Sequence, residues 1–387
     1  MKEEDFTAPE TGTLIPTSFG VKAFVPANLP PNLDMSRLAI PLADAMQAIG
    51  ELKGASRRLT NPYVLVRPLQ RQEALTSSAM EGTFTTDDNL LLAEAGLENK
   101  SDTASIEVRN YLRALKKSVS MLQDEGVPIS HRMIKQAHKI LLSGVGSFRG
   151  ANRKPGEYKT DQNAIGGTRI ETARFVPAPP VEASECMDQL ELYINRPDRT
   201  NSSGEALIDI ALAHYQLETI HPFADGNGRV GRMLISLMAV ERELFDMPLL
   251  YVSPAMEKKK DRYIDLMYAV SAKGDWVEWI KFFLEVVKIS AVNTIETIDR
   301  LIDLQSEYRK LVADEMRTSN GLALVDQLFE EPILTIPRVQ KILGVTYRSA
   351  KNITEKLLKL DILTEIPDSH PRLLVAWRVI TIASPPK

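Results

Sequence analysis

Apolar residues recur at three- and four-residue spacing through most of this chain, the mark of amphipathic helices. One such run starts near Met35 and reaches Arg57 or Arg58, with Leu38, Ile40, Leu42, Met46 and Ile49 among its apolar positions. A second spans Pro62 to Gly82, and Gly82 is a natural stop because glycine accepts the left-handed conformation that ends helices. A short helix is expected around Asp88 to Glu94, and an amphipathic one from Glu107 to Leu122. Ser130 is the expected N-cap of a further helix reaching Leu142. Glu205 to Ile220 and Met233 to Val240 are largely apolar, as expected of helices buried within a helical core. Trp276 to Val287 continues in helical register towards Glu315, with Trp276 and Trp279 packed inward.

Three stretches depart from that pattern. Residues 1 to about 35 are rich in Pro, Gly and Thr and read as extended and irregular. Phe148 to Pro180 is punctuated by Gly150, Gly156, Gly166 and Gly167. Within it, Tyr158 to Ile165 and Thr168 to Val176 predict a hairpin turned at Gly166-Gly167. Such a hairpin has exposed edges, and strand addition could dock a peptide there. From about Asn320 the chain predicts a helix (Ala323 to Phe329), a helix from Thr335 to Leu343, and a third from Tyr347 to Leu360. Strands at Leu363 to Ile366 and Leu373 to Ile380 follow, which makes a winged-helix pattern. From Glu331 onward nine Lys/Arg stand against five Asp/Glu, a modest surplus for a DNA reader and equally suited to protein interaction.

Composition narrows the class without choosing a function. The 387 residues are 44% hydrophobic and 25% charged, ordinary for a soluble globular protein of two or three domains. A net charge of −4 supplies no global basic field for nucleic acid. The single cysteine, Cys186, excludes an internal disulfide and reads as a small buried hydrophobe. The acidic start lacks a signal core, and no apolar run reaches membrane-spanning length, so a cytoplasmic protein with no membrane partner is expected.

The candidate chemistry is concentrated in His221-Pro222-Phe223-Ala224-Asp225-Gly226-Asn227-Gly228-Arg229-Val230-Gly231-Arg232. The stretch reads as a loop opening a helix. Gly226 and Gly228 let the backbone fold tightly and approach a ligand. The free N–H groups and dipole of a helix start attract an anion. Arg229 and Arg232, three apart, project from one face and suit phosphate. Asp225 is a lone carboxylate in that cationic nest, which makes sense with Mg2+ between it and phosphates. His221 is the group able to accept a proton near neutral pH. The set points to transfer at a phosphorus centre. No Gly-x-x-x-x-Gly-Lys or His-Glu-x-x-His occurs around it. His131 and His138 read as structural or surface residues, and His214 as a core histidine.

The pattern His-x-Phe-x-Asp/Glu-Gly-Asn-Gly-Arg-x-x-Arg resembles the signature of Fic-domain proteins and is matched at every fixed position. Ser77-Ser78-Ala79-Met80-Glu81-Gly82 is similar to that family's inhibitory helix, Ser/Thr-x-x-x-Glu-Gly/Asn, placed N-terminal to the main motif. The resemblance covers roughly residues 20 to 290. It implies a mainly α fold: a Fic-like helical core with a β-hairpin flap, followed here by the winged-helix domain. The expected divisions are 1–110 with the inhibitory helix, 111–290 for the core, 291–319 as a linking helix and 320–387.

The resemblance further implies AMP transfer from ATP to a Ser, Thr or Tyr hydroxyl of a protein. His221 would be the base, Asp225 the Mg2+ ligand, and Asn227 with the Gly226 and Gly228 backbone the α-phosphate site. Arg229 and Arg232 would anchor the outer phosphates. Ile165, Gly166, Gly167 and Thr168 of the flap would border the nucleotide, and Tyr263 would touch the base. Ser77 and Glu81 would be inhibitory, with Glu81 pairing Arg232. The protein substrate would dock along Tyr158–Val176. A de-AMPylating hydrolase, a DNA-binding regulator with a Fic-like sensor core, and a homodimer all stay open. Phosphate transfer, as in the Doc branch, is disfavoured because that branch carries Lys where Gly228 stands.

Overall fold

The computed structural model describes residues 1–57, 62–94, 102–145, 154–167, 169–200, 202–316, 318–367, 369 and 371–383. The chain opens on a hairpin, β1 (Gly12–Pro16) antiparallel to β2 (Lys22–Pro26), where the sequence predicted irregular chain. Tertiary burial makes it. Ala23 and Phe24 are buried, and the Phe24 N–H donates to Val176 O at 2.9 Å.

Helices then dominate: α1 (Ala39–Ser56), α2 (Pro62–Met80), α3 (Asp87–Glu94), α4 (Thr103–Gln123) and α5 (His131–Leu141). Ser130 precedes α5 but does not cap it; the His131 N–H donates to Glu191 Oε2 at 2.6 Å instead. After the flap come α6 (Pro180–Ile194), α7 (Ser203–Ile220), α8 (Asn227–Glu241), α9 (Ser253–Glu257) and α10 (Lys260–Lys273). Ser202 fixes the start of α7, its Oγ accepting from the Glu205 N–H at 3.2 Å. Nearly every residue of α7 and of α8 is buried, so the two helices form the centre of the core. α7 packs on α8, α6 and α1.

α11 (Trp276–Met316) is one unbroken helix of 41 residues, about 60 Å long at 1.5 Å per residue. It lies along α1 near one end and against α12 (Ser319–Glu330) near the other. Beyond it stand β3 (Ile333–Leu334), α13 (Ile336–Leu343), α14 (Tyr347–Lys359), β4 (Thr364–Glu365), β5 (Leu374–Val375) and α15 (Trp377–Ala383). The three strands form one antiparallel sheet in the order β3-β5-β4. The last strand is shorter than its β-branched sequence predicted. Residues 377–383 turn into a helix that packs on α11 and α2, with Arg378 paired to Glu307 at 2.8 Å.

The flap closes by an antiparallel bridge of one residue pair, Ile165 with Phe175. Its strands are much shorter than expected because Lys159 and Asn163 bond elsewhere, to the loop that follows α7. The outer side of the flap is also occupied: Val176 O accepts from β2, and Ala173 O from the Met1 amino group.

Candidate active site

A cleft of about 190 Å3 opens where α2, α7, α8, α10 and the flap meet. Of the residues singled out from sequence, Glu81, Ile165, His221, Gly228, Arg232 and Tyr263 line it. Ser77, Asn227 and Arg229 stand behind that wall, Ser77 bonded to Arg232, Asn227 to Phe223 and Arg229 to Asp225. Gly166 and Gly167 build the flap tip: a Cβ on Gly166 would meet Arg174 Cβ at 2.9 Å, and one on Gly167 would meet Ala173 Cα at 2.8 Å. Thr168 lies outside the described residues.

His221 ends α7 in the left-handed conformation, φ 52° and ψ 58°. That costs a non-glycine residue about 1–2 kcal/mol, so the surroundings must hold it. Its Nδ1 lies 3.2 Å from Glu218 O. A carbonyl only accepts, so Nδ1 carries the proton and Nε2 keeps a bare lone pair. Burial, with Lys159 adding to it, lowers the imidazole to about 4. His221 is therefore neutral at physiological pH.

The loop after His221 is held from several sides. Asn227 closes back on Phe223, Oδ1 accepting from its N–H and Nδ2 donating to its carbonyl, both at 2.8 Å. This commitment leaves the backbone N–H as the group of Asn227 offered to an anion. The Phe223 ring stacks on His138 with centroids 3.8 Å apart. Gly156 N–H donates to His138 Nδ1, so its Nε2–H donates to Asp225 O at 2.9 Å. His138 is thus a buried strut, pushed by burial to about 4. Gly226, φ 83°, is the N-cap of α8.

Two arginines follow on α8 and have separate partners. Arg229 is ion-paired with Glu107, and its Nη2 donates to Asp225 Oδ1 at 3.2 Å. Burial brings its guanidinium down to about 10. Arg232 is buried and gives Nε to Ser77 Oγ at 2.9 Å and Nη2 to Ser77 O at 2.8 Å and to Glu81 Oε1 at 2.7 Å. Burial opposes its charge, yet Glu81 and Glu218 outweigh that and raise its pKa. Burial likewise opposes ionisation of Glu81, but Arg232 and then Arg229 hold it below the usual carboxylate range. The Glu81 carboxylate lies over the first turn of α8. A Cβ on Gly228 would be 2.1 Å from its Oε1. So a carboxylate fills the place that a helix N-terminus offers an anion.

Further groups in the cleft were not found from sequence. Glu218 stands one turn before His221, and its Oε1 is buried without a hydrogen-bond partner. Burial raises it to about 8. Tyr263, expected here, bonds His214 Nε2 through its hydroxyl at 3.1 Å. Met267 and Ile264 continue the apolar wall on α10. Glu107, Lys159 and Asn163 were missed as well. The placement of Glu107 one turn before Tyr111 on an amphipathic helix was the one signal for a buried acid.

Among the described residues no three His, Cys, Asp or Glu side chains gather to cage a metal. Asp225, 37% exposed beside the start of α8, is the carboxylate nearest that role. An ion carried on a phosphate chain keeps most of its waters and needs only one or two carboxylates, so this donor set fits Mg2+ of that kind.

No described helix is long and apolar enough to cross a membrane. The Fic/DOC family N-terminal model matches residues 40–120, and the Fic/DOC family model matches residues 128–239. The chain is 25% identical over 288 residues to "Protein adenylyltransferase Fic" of Drosophila melanogaster, covering 72% of this chain and 51% of that protein. It is 28% identical over 218 residues to the protein of the same name from Drosophila grimshawi, covering 55% and 41%. The chain thus spans about half the length of the curated relatives it matches. In fold it is similar to a Fic family protein from Desulfovibrio desulfuricans G20, with TM-score 0.57, 18% identity, and 90% and 98% of the two chains covered. It is also similar to Fic-1 of C. elegans, with TM-score 0.54, 20% identity, and 68% and 75% covered. With both domain models in sequence and the motif at the cleft, this chain carries a Fic/DOC family N-terminal domain followed by a Fic/DOC family domain.

Proposed function

We propose that the chain transfers AMP from ATP to a Ser, Thr or Tyr hydroxyl of a protein, and that Glu81 restrains it. The observation that carries the reading is the pairing, in one cleft, of a histidine with a bare Nε2 and a buried arginine at the start of a helix. Relatives named protein adenylyltransferase agree with it.

His221 Nε2 takes the proton of the incoming hydroxyl, and the oxygen attacks the α-phosphorus as pyrophosphate leaves. The N–H groups of Asn227 and Gly228 face the charge that builds on the α-phosphate, while that of Gly226 is held by Asp225 Oδ1 at 2.6 Å. Arg229 and Arg232 grip the outer phosphates. Asp225 would hold Mg2+, which when bound neutralises phosphate charge. Tyr263, Ile264 and Met267 offer the base an apolar wall, with Ile165 of the flap opposite. The protein segment lies along Tyr158–Val176. Glu81 restrains by occupying Arg232, so it must leave before a phosphate can enter.

A second reading has its own observation. Glu81 lines the same cleft as His221 and bears on its charge, an arrangement that also suits a carboxylate aiding AMP removal. A third, a DNA-binding regulator, rests on α14, which exposes Arg348, Lys351, Lys356 and Lys359. The test is α-labelled against γ-labelled ATP with wild type, Glu81→Gly and His221→Ala. The proposal expects label from the α position alone, raised by Glu81→Gly and absent in His221→Ala. Label from γ would replace it with phosphate transfer. No label even with Glu81→Gly would favour AMP removal or a regulator.

A further inference from the structure

Two residues of the flap, four apart, take up four consecutive carbonyls of the loop that carries His221. Lys159 Nζ donates to Ile220 O at 3.3 Å, and the Lys159 N–H donates to Pro222 O at 2.8 Å. Asn163 Nδ2 donates to His221 O at 3.1 Å and to Phe223 O at 2.9 Å. The two are also joined to each other, Lys159 Nζ donating to Asn163 Oδ1 at 2.7 Å. Lys159 is 5% exposed, which is unusual for a lysine with no carboxylate partner among the described residues. Its Nζ is spent on a carbonyl and an amide instead, and burial lowers the amine to about 7.

We propose that Lys159 and Asn163 are positioning residues for the His221 base. They hold residues 220–223 in the turn that keeps His221 left-handed and its Nδ1 on Glu218 O. The proton on Nδ1 then leaves Nε2 bare towards the cleft. The inference rests on His221 acting as base, and it deepens that reading by giving the flap a second role. The same segment that would receive a target also fixes the tautomer of the base.

Charge joins geometry here. The charged groups around His221 are Lys159 and Arg174 from the flap, Glu81 from the end of α2, Glu218 on α7, Arg232 from α8 and Lys260 from α10, with the Tyr263 and Tyr268 rings also lining the cleft. Lys159 is the one that acts with burial to keep His221 neutral. Removing its charge therefore raises the His221 pKa, while Lys159→Arg leaves it low.

The test uses the full chain carrying Glu81→Gly, with Lys159→Met, Asn163→Asp and Lys159→Arg added singly. Transfer kinetics are read beside the 15N-imidazole spectrum; the chain has five histidines, and His221 is assigned by its loss in His221→Ala. Lys159→Met and Asn163→Asp should lower kcat roughly 10- to 100-fold, the scale of a reacting group misplaced by about an ångström. KM for ATP should stay within about threefold, since Arg232 is untouched. In both, His221 should lose its pure Nδ1–H tautomer, and Lys159→Arg should recover it. Unchanged tautomer in the first two variants overturns the proposal, whatever the rates do. A fall confined to KM, or kcat within twofold of the parent, overturns it also. Should the parent transfer no AMP, the spectrum alone decides, so failure of the activity and failure of the clamp remain distinct.

Discussion

Two helices bring their C-terminal ends to the cleft, and they are held by different forces. α7, which ends at His221, is buried along nearly its whole length; half of its residues are Ala, Leu and Ile, and its buried acid Asp209 is paired to Arg196 and Arg242 about three turns away from the cleft. α2, which leads to Glu81, has Arg71, Glu73, Thr76, Ser77 and Ser78 buried. Polar groups fasten it. Arg71 bonds Glu94 and Glu330 O, Glu73 bonds Ser253, and Ser77 bonds Arg232. Apolar burial has no single link to cut, because its strength is spread over many weak contacts. Partnered polar groups do, and losing one partner leaves the other buried and unpaired. The helix bearing the base is therefore a fixed part of the core. The helix bearing the restraint meets the cleft through the bonds of Ser77 and Glu81 to Arg232, which a competing phosphate can replace.

The largest expected effect breaks the fixed side. His221→Ala in the Glu81→Gly background should lower AMP transfer about 1,000-fold, within the usual range for a general base. The melting temperature should change little. A fall of less than tenfold would remove His221 from the base role.

On the releasable side the effect is smaller and of opposite sign. A hydrogen bond to a charged group is worth about 1.5–3 kcal/mol, or roughly 10- to 100-fold. The Glu81 side chain is 36% exposed, so solvent screening favours the lower end. Glu81→Gly should raise the rate about tenfold and tighten ATP binding measured by calorimetry. Equal rates would show that the Glu81–Arg232 pair restrains nothing.

A third comparison sets the anchors themselves against each other. Arg71→Met frees α2 from the end of α12, and should raise transfer about two- to fivefold with Glu81 in place, a fraction of the full release. Ile220→Ala, in the last turn of α7, should cost about 2–4 kcal/mol of stability and lower transfer instead. Opposite signs in the two rates sharpen the contrast; the same sign would erase it.

What could be read beforehand follows the same division. The motif from His221 to Arg232 was legible because its chemistry is contiguous and each residue type has few other reasons to be there. The bond between Glu81 and Arg232 spans 151 residues and was legible only through the family resemblance. Lys159, Asn163 and His138 were not legible, since they act on backbone carbonyls, which leave no trace in side-chain identity. The β1–β2 hairpin was hidden by its prolines and glycines. Its cause is distant, in Val176 and the aromatic cluster of Phe6, Phe24, Phe175 and Tyr268. Residues 377–380 erred the other way. Their β-branched side chains prefer strands, yet packing on α11 and α2 makes a helix.

The smallest predicted effect concerns Glu73, a fully buried anchor of α2. Its Oε1 accepts from Ser253 Oγ at 2.5 Å and its Oε2 from the Ser253 N–H at 3.0 Å. Burial outweighs both bonds and raises the carboxyl to about 7. A carboxyl whose folded pKa lies above its unfolded value favours the fold when protonated. The contribution is full below about 4.5 and is lost as pH rises through about 7. The melting temperature should therefore fall by about 2–5 °C between pH 5 and pH 8 on account of this group. Glu73→Gln keeps the shape and cannot ionise, so it should remove that part of the slope. Because Glu73 belongs to α2 and not α7, the same pH rise should also loosen the restraint. AMP transfer by wild type should then gain on the Glu73→Gln protein as pH passes 7. Parallel pH profiles for the two proteins would show that this anchor is indifferent to its charge.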